Sequence, residues 1–454
     1  MLTERVERPR AIVDFAELRA REFSRLDAGA HAYLDFTGSA LYPESLVAEH
    51  AAMLREAVLG NPHSESPASL ASSALLAEAR SRVLRFLDAD PARYGVVFTA
   101  NTTGAIRLVA EGFRFAPRAP LVLAQDDHNS VNGMREYARR AGAPVLYLPL
   151  DEELRLVGAA EELEALGTGG LFAFPAQSNF SGVRHPLSLV RQARALGYSV
   201  LLDAAAYVPT SPLSLRDVPA DFVALSFYKM FGYPTGLGAL VARIDALDAL
   251  KRPWFSGGTV EFVSVHHDAH LLKDGVEAFE DGTPSFLAIA AVCAGLDFLD
   301  GVGMERIRKR TGELTGALAA ELRALRHRNG NPSVTLYGPA DDVGRGATLS
   351  FNVLDTAGRV VPYCRVEERA RAARVSVRGG CFCNPGAAAA AFGFPRDATV
   401  ACLDAARRTG WSLDRFAACL GDRPVGAVRA STGVPTNAAD LERLVAVVDG
   451  MTIG

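Results

Sequence analysis

Lys229 is the first residue whose chemistry stands out, because it follows the apolar stretch 222–226 and precedes a glycine-broken turn. Burial removes the hydration of an ammonium group and favours the neutral amine, and a neutral amine attacks an aldehyde to form a Schiff base. Ser226 and Tyr228 flank it with hydroxyls that suit a phosphate or a ring. Taken alone, a lysine at a strand end is usually a surface residue that keeps its charge in water.

A carboxylate, Asp203, closes another apolar stretch about one strand, connection and strand upstream of Lys229. The residues before it, 200–202, are typical of a fully buried parallel strand. Pyridoxal phosphate needs such a pair at the carboxyl ends of neighbouring strands, because the carboxylate keeps the pyridinium nitrogen protonated and the lysine holds the aldehyde. An aspartate just past a strand is equally often a helix cap.

The segment 98–105 follows a predicted strand and opens a predicted helix, with Thr102 and Thr103 at the junction. Backbone N–H groups at a helix start, together with two hydroxyls, form a site for an anion such as phosphate. Ordinary helix capping by threonine explains the same residues. The phosphate interpretation therefore depends on the other motifs.

Two cysteines, Cys381 and Cys383, stand between glycines in the segment 380–386. This pattern predicts a mobile, exposed loop, which suits a thiol that reaches a bound substrate and leaves with a sulfur atom. Two incidental cysteines are the simpler alternative, and a Cys-x-Cys metal site is another. No second Cys or His cluster has the spacing that completes a zinc site, so no metal is expected.

The composition indicates a globular protein of enzyme size. The 454 residues are 49% hydrophobic, which suffices for a large core and for two domains. The net charge of −4 gives no reason to expect nucleic acid or an anionic membrane as a partner. The amino terminus is too charged for a signal peptide, and no apolar run is long enough to span a bilayer. The six cysteines form no disulfide framework and fit a reducing cytoplasm.

Short apolar stretches alternate with helical stretches rich in alanine, leucine and arginine from about Tyr33 to Leu296. The predicted strands are 96–98, 121–123, 145–148, 171–174, 200–202, 222–226 and 239–241. This alternation predicts an α/β fold with a mainly parallel sheet and helices on both faces.

The ends of the chain have a different pattern. The opening stretch has helical periodicity at Ile12, Phe15, Leu18 and Phe23, and residues 33–36 are a short strand or turn. After Gly301 an amphipathic helix is predicted from Ile307, Leu314, Leu318, Leu322 and Leu325. Strands at 334–336 and 348–353 and a helix around 441–448 follow. We therefore expect a large domain at 29–296 and a smaller α+β domain built from residues 1–28 and 297–454.

Several segments resemble, in the same order, the sequence blocks of class V (fold type I) pyridoxal-phosphate enzymes. The segments are 61–67, 174–182, 226–238, 279–284 and 378–386. The resemblance is closest to the amino-terminal domain of molybdenum cofactor sulfurases and covers the chain from about Tyr33 to its end. It implies a fold type I transferase whose large domain binds pyridoxal 5'-phosphate.

The resemblance also assigns residues around the cofactor. It implies that Thr102 and Thr103 cup the phosphate, with Ser226 contributing from the other side. His128 resembles the histidine that stacks on the pyridine ring and takes part in proton transfer. Asn179 resembles the asparagine that bonds the phenolic oxygen beside the substrate.

The resemblance further implies a homodimer. The segments 257–259 and 282–284 resemble loops that complete the site of a second subunit. Gly258 and Thr259 are therefore expected to contact the neighbour's cofactor.

Arg378-Gly-Gly-Cys-Phe-Cys383 resembles the nucleophile loop of group II cysteine desulfurases. It places Cys383 at the nucleophile and Cys381 beside it as a relay, and which of the two carries the persulfide stays open. Arg429 resembles the arginine that binds the substrate carboxylate bidentately, with a surface ion pair as the alternative. One departure is Ala206, which stands where many cysteine desulfurases carry Gln, so another residue must contact the phenolic oxygen.

The sequence therefore predicts a homodimeric, cytoplasmic, pyridoxal-phosphate-dependent cysteine desulfurase. It would convert L-cysteine to L-alanine, with Lys229 or His128 moving the α-proton, and leave a persulfide on Cys383. The chain stops where molybdenum cofactor sulfurases continue, so the sulfur acceptor is expected to be a separate protein or a small molecule.

Two other functions remain open at this point. A class V aminotransferase or β-eliminating C–S lyase of secondary metabolism would use the same cofactor, with the cysteines incidental. A non-catalytic nucleotide-binding protein built on Gly236 and Gly238 would lack the remaining fingerprint glycine. Cysteine-dependent release of alanine separates the desulfurase from the first alternative.

Overall fold

The computed structural model describes residues 14–167, 169–341, 343–410, 412–421 and 423–451. Ile12, which contributes to the predicted periodicity of the first helix, lies outside these residues. The strands are β1 (Ala32–Tyr33), β2 (Tyr94–Thr99), β3 (Leu121–Ala124), β4 (Val145–Leu148), β5 (Leu171–Pro175), β6 (Ser199–Asp203), β7 (Phe222–Ser226), β8 (Gly238–Arg243), β9 (Val260–Ser264), β10 (Ala269–Leu272), β11 (Val334–Tyr337), β12 (Thr348–Val353), β13 (Val375–Ser376), β14 (Arg378–Gly380) and β15 (Ala427–Ser431).

The α-helices surround these strands. They are α1 (Phe15–Glu22), α2 (Arg25–Ala28), α3 (Glu44–Glu56), α4 (Pro67–Phe86), α5 (Thr102–Gly112), α6 (Asn129–Asn132), α7 (Arg135–Arg140), α8 (Ala159–Ala165), α9 (Ser188–Ala195), α10 (Phe227–Phe231), α11 (Ile244–Ala249), α12 (Phe286–Val302), α13 (Met304–Ala324), α14 (Tyr363–Ala372), α15 (Pro385–Phe392), α16 (Arg396–Thr409), α17 (Leu413–Cys419) and α18 (Ala438–Asp449). A short 3₁₀ helix spans Gly275–Phe279.

A seven-stranded central sheet has the strand order β2-β8-β7-β6-β5-β3-β4. Only β8 runs antiparallel to its neighbours, and the other pairings are parallel. Alternate residues of β5 enter separate apolar clusters, with Phe172 and Phe174 in one and Leu171 and Ala173 in the other. Both faces of the sheet are thus covered, which explains why its strands are continuous apolar runs. The predicted α/β fold and the seven predicted strands are confirmed.

The parallel strands all end at one edge of this sheet. Because β2, β3, β5, β6 and β7 share a direction, the residues that follow them meet there. This carboxyl edge is where open α/β sheets bind ligands. It brings together segments that lie more than a hundred residues apart in the sequence.

A four-stranded antiparallel sheet, in the order β11-β12-β15-β14, forms a second layer. The helices α13 and α14 pack on it, and α18 packs on these two helices and on β1 and β13, all within a separate apolar cluster. The predicted α+β character of the chain's last part is confirmed by these elements. The division into a large domain at 29–296 and a smaller domain remains a proposal; position 296 lies inside α12, and β1 pairs with β13.

The N-terminal helix connects the two layers. Leu18 and Phe23 enter the apolar cluster on the central sheet. Arg19 meanwhile forms an ion pair with Asp440 of α18 at 2.6 Å and donates to the carbonyl of Pro435 at 2.7 Å. The first described residues therefore belong to neither layer alone.

A disulfide joins Cys402 of α16 to Cys419 of α17. The sequence analysis did not predict this pair, because no disulfide was expected among the six cysteines. The two residues lie on consecutive helices, 17 positions apart. Cys381 and Cys383 are free.

Among the described residues, no single helix combines the length and apolar character needed to cross a membrane. The consecutive helices α12 and α13 have that length and apolar character only when taken together, across a bend of 70°.

Candidate active site

A cavity of about 290 Å³ opens at the carboxyl edge of the central sheet. Its lining contains most of the residues predicted to bind a cofactor. The residues that line it are Asn101, Thr102, Thr103, His128, Ser130, Pro175, Gln177, Asn179, Asp203, Ala205, Ala206, Ser226, Tyr228, Lys229, Thr235 and Gly236.

Lys229 lies in α10, one short turn after the end of β7. Burial lowers the pKa of its amine, because desolvation disfavours the ammonium form. The charge of Asp203 opposes this shift, whereas the guanidinium groups of Arg429 and Arg378 reinforce it. The amine is therefore held closer to its neutral, nucleophilic form than a surface lysine.

Glycines shape the turn around this lysine. Gly232 ends α10 with φ +77°, and a Cβ there would lie 2.3 Å from the backbone nitrogen of Tyr42. A Cβ on Gly238 would lie 2.6 Å from the carbonyl carbon of Asn101. Backbone of other segments thus approaches closely at these two glycines. Gly236 instead has open space around it and needs only its φ of +73°.

Asp203 closes β6 and accepts a hydrogen bond from the backbone N–H of Ala205 at 3.0 Å. A second carboxyl group, Asp127, is buried nearby. Burial raises the pKa of Asp127 well above its ordinary value, and the charge of Asp203 reinforces the shift. Asp127 is thus held towards its neutral form, so that Asp203 is the carboxylate presented to the cavity.

The start of α5 meets the end of β7 on one wall of the cavity. Ser226 Oγ accepts from the backbone N–H of Thr102 at 2.8 Å and lies 2.7 Å from Thr102 Oγ1. Thr103 Oγ1 lies 2.8 Å from Ser130 Oγ. These hydroxyls lie at the start of an eleven-residue helix, where the sequence predicts an anion site; that site remains a prediction.

His128 caps α6 at the end of the β3 connection. Its Nδ1 accepts from the backbone N–H of Ser130 at 3.1 Å, so a neutral ring carries its proton on Nε2. Burial lowers the pKa of His128, and the charge of Lys229 adds to this effect while Asp203 opposes it. The ring is thus a flat, neutral imidazole on the wall of the cavity.

Gln177 is a lining residue to which the sequence analysis assigned no role. Its Nε2 donates to the carbonyl of Ala206 at 2.9 Å, so its amide lies beside the position that lacks a polar side chain. A Cβ on Gly346 would lie 1.9 Å from its Oε1, so that glycine leaves the space the amide fills. Its place within the segment 174–182 was the available signal.

The loop with the two cysteines is held against the cavity wall. Cys383 is exposed and Cys381 is half-buried, while Phe382 between them is buried. The backbone N–H of Asn129 donates to the carbonyl of Cys383 at 2.7 Å, and Asn179 Nδ2 donates to that of Phe382 at 2.7 Å. The flanking glycines predicted a mobile loop, but these contacts fix its backbone.

Asn384 extends this attachment, although the sequence analysis gave it no role. It is fully buried, and its Nδ2 donates to the side chain of Asp126 at 2.8 Å and to Asn179 Oδ1 at 2.9 Å. Asp126 in turn pairs with His185 Nε2 at 2.8 Å. Both polar atoms of the Asn179 side chain are thus used within the protein.

Arg429 lies in β15 and is 3% exposed, so the alternative of a surface ion pair is wrong. Its Nη2 pairs with Asp35 at 3.2 Å, and its Nη1 donates to the carbonyl of Asn179 at 2.9 Å. Among the described residues, its Nε has no hydrogen-bond partner. Burial lowers the pKa of Arg429 to about 10, although Asp35 opposes the shift. An unpaired buried donor suits the carboxylate ligand predicted for this residue.

Asp35 was missed by the sequence analysis. It lies just after β1 and pairs with two arginines at once, because Arg378 Nη2 is 2.6 Å from its second oxygen. Arg378 and Arg429 face each other across β14 and β15. The available signal was a carboxylate within the short strand or turn predicted at 33–36.

Gly258 and Thr259 are not among the residues that line this cavity. A Cβ on Gly258 would lie 2.9 Å from the carbonyl of Gly282, so the two predicted neighbour-contacting segments lie together. Their role in a second subunit remains a prediction.

The match to a known family covers most of the chain. Residues 32–444 match the family described as aminotransferase class-V. The chain belongs to this family. Its predicted class V assignment is confirmed.

A curated relative and two solved structures extend the comparison. The molybdenum cofactor sulfurase of Bos taurus is 38% identical over 454 residues, covering 94% of this chain and 50% of the relative. This chain spans about half the length of the curated relatives it matches. A cysteine desulfurase from Thermococcus onnurineus has the same fold, with a TM-score of 0.77, 24% identity and coverage of 100% and 99% of the two chains. The enzyme C-DES, in a variant with glycine covalently linked to its PLP cofactor, has a TM-score of 0.70, 18% identity and coverage of 95% and 98%.

We predict opposite effects of two substitutions on the amine of Lys229. Asp203→Asn removes a charge that raises its pKa, so the pKa should fall further. Arg429→Gln removes a charge that lowers it, so the pKa should rise. Competitive labelling of the cofactor-free protein with acetic anhydride across pH, with mass spectrometry of the Lys229 peptide, measures both. Shifts in the same direction would contradict this electrostatic account.

Proposed function

We propose that this protein is a pyridoxal-phosphate-dependent cysteine desulfurase of the molybdenum cofactor sulfurase type. The observation that carries the proposal is a set of contacts that links the predicted amine, cysteine loop and arginine. Lys229 and Asn179 line the same cavity, Asn179 Nδ2 donates to the carbonyl of Phe382 in the cysteine loop, and the carbonyl of Asn179 accepts from Arg429. The amine, the thiol and the arginine come from α10, the cysteine loop and β15, so only the fold brings them together.

The cavity fits pyridoxal phosphate by its chemistry. The helix start at Thr102, with Ser226, suits the phosphate. Asp203 suits the ring nitrogen, and Lys229 suits the aldehyde. When bound, the cofactor supplies an electron sink that weakens the bonds at the substrate's α-carbon. The family membership and the C-DES structure with its PLP cofactor support this assignment.

Each side chain then has a distinct task. Arg429 binds the carboxylate of L-cysteine through its unpaired Nε and the adjacent amino group. Asp203 stabilises a proton on the ring nitrogen, and Gln177 reaches the side of the cavity where Ala206 has no polar group. Lys229, whose pKa burial lowers, accepts the α-proton, with His128 as a second candidate.

The thiolate of Cys383 attacks the sulfur atom of the bound L-cysteine. An S–S bond forms as the carbon–sulfur bond of the substrate breaks, and the electron pair of that bond stays on carbon. A proton on that carbon and the return of the α-proton from Lys229 complete L-alanine, and a persulfide remains on Cys383. Cys381, two residues away, is the candidate relay. The persulfide then passes to an acceptor, which we propose to be a separate protein or small molecule.

We predict that Cys383→Ser keeps the cofactor and still binds L-cysteine, because neither step needs the thiol. Its formation of persulfide and L-alanine should fall by a factor of at least about 10³, since the nucleophile is gone. Cys381→Ser is the matched control in the same loop and should cost less. The measurement is L-alanine and protein-bound sulfur from L-cysteine in the wild type and both variants. Turnover at the wild-type rate by Cys383→Ser would favour an aminotransferase or C–S lyase instead.

We also propose a homodimer. The hairpin of β9 and β10 is a two-stranded sheet with exposed apolar side chains, including Phe262, Val265 and Leu271. Such a hairpin is marginally stable unless another surface covers it. Gly258 at its base is half-buried and is the residue we propose to contact a second subunit, whereas Thr259 is 1% exposed within its own subunit. Sedimentation equilibrium of the cofactor-loaded protein should give a dimer mass, and a fully loaded monomer would refute the proposal.

A cytoplasmic location is the remaining proposal. It is supported by the four free cysteines, two of which must stay reduced to act as thiols. The disulfide between Cys402 and Cys419 weighs against it, because disulfides are rare in reducing compartments. Thiol labelling of these two cysteines in intact cells would decide: labelled thiols support the cytoplasm, and an oxidised pair excludes it.

A further inference from the structure

Phe382 lies between the two candidate sulfur carriers, and its environment differs from theirs. Its side chain is 9% exposed, whereas Cys383 is exposed. The ring packs against Phe180 with a centroid distance of 5.5 Å, as part of an apolar cluster that also contains Phe392. A loop that only displayed two thiols would have no need to bury the residue between them.

The same ring covers the face of Arg429. The guanidinium carbon lies 4.6 Å from the ring centroid, a distance at which cation–π attraction is effective in a desolvated site. The plane of the guanidinium is thus defined by the ring on its face, and by Asp35 and the carbonyl of Asn179 at its edge. The unpaired Nε remains on that edge for a ligand.

The backbone of the loop is strained at this point. Phe382 and Cys383 have φ values of +57° and +56°, a left-handed conformation that costs a non-glycine residue free energy. Two consecutive residues of this kind persist only when their surroundings hold them. Here the Asn179 side chain holds the carbonyl of Phe382, and the backbone N–H of Asn129 holds that of Cys383.

We propose that Phe382 is a positioning residue that fixes the Cys383 thiol relative to the carboxylate-binding edge of Arg429. Its ring orients the guanidinium, and its left-handed backbone directs the next residue outward. A substrate whose carboxylate is bound at Arg429 is thereby placed at a set distance from the thiol. This inference rests on the proposed function, whose substrate it positions.

Four proteins loaded with cofactor test it: the wild type, Phe382→Leu, Phe382→Tyr and Phe392→Leu. Phe382→Leu keeps an apolar side chain but loses the ring face over Arg429. Phe392→Leu also removes a ring from this cluster. Among the described residues, the Phe392 ring does not lie over Arg429, so this variant is the matched control for packing loss. Phe382→Tyr keeps a ring face.

Two measurements are made on each protein. The first is the rate at which iodoacetamide alkylates Cys383 without any amino acid present, followed by mass spectrometry. The second is the affinity for L-alanine, a carboxylate ligand without sulfur, followed by the visible spectrum of the cofactor. Phe382→Leu should change the alkylation rate and weaken L-alanine binding, each by about tenfold, the scale of a lost buried cation–π contact. Phe382→Tyr should recover most of both, and Phe392→Leu should match the wild type.

Equal alkylation rates in Phe382→Leu and Phe392→Leu would show that Phe382 only fills the core, and would overturn the inference. A changed alkylation rate with unchanged L-alanine affinity would overturn the link to Arg429. The alkylation arm needs no turnover, so it reports on the loop even if the protein fails to release L-alanine from L-cysteine. Failure to release L-alanine from L-cysteine would reject the proposed function instead.

Discussion

The structure depends most on the convergence of charged groups at the carboxyl edge of a parallel sheet. Lys229 lies there with one carboxylate, Asp203, and two guanidinium groups within electrostatic reach. Desolvation and the arginines lower the pKa of the amine, while the carboxylate limits that shift. An amine closer to neutrality is the condition for carbonyl chemistry near pH 7. The apolar strands that end beside it provide the low-polarity surroundings in which these charges act strongly.

A second set of contacts attaches the cysteine loop to the same edge. Asp35 connects Arg429 to Arg378, the residue that opens the strand before the loop. On the far side of the loop, Asn384 bonds to Asp126 and to Asn179. The loop is therefore attached at both ends, and of these groups Asn179 also lines the cavity. Arg429, the arginine proposed to bind a carboxylate, and the cysteine loop thus share one hydrogen-bonded network through Asn179.

Much of this arrangement could be predicted from the sequence. Continuous apolar runs identified the strands of the central sheet, and the rule that ligands bind at the carboxyl edge placed Asp203 and Lys229 together. The anion-binding chemistry of helix starts likewise identified Thr102 as a candidate site residue. These signals lie in short stretches of sequence, so they can be recognised without knowledge of tertiary contacts.

Other features depend on contacts between distant segments and left little trace in the sequence. Asp35 acts through arginines that lie more than three hundred positions away. The fixed backbone of the cysteine loop comes from Asn129 and Asn179, whereas the flanking glycines alone suggested mobility. The disulfide between Cys402 and Cys419 likewise joins residues on two different helices.

The most direct test of this account is to locate the cofactor's attachment. Borohydride reduction of the purified protein fixes pyridoxal phosphate covalently to the lysine that holds it, and peptide mass spectrometry identifies that residue. The account predicts a single phosphopyridoxyl label on Lys229 and none in Lys229→Ala. A label on another lysine, or no label in a protein that still turns over L-cysteine, would contradict it.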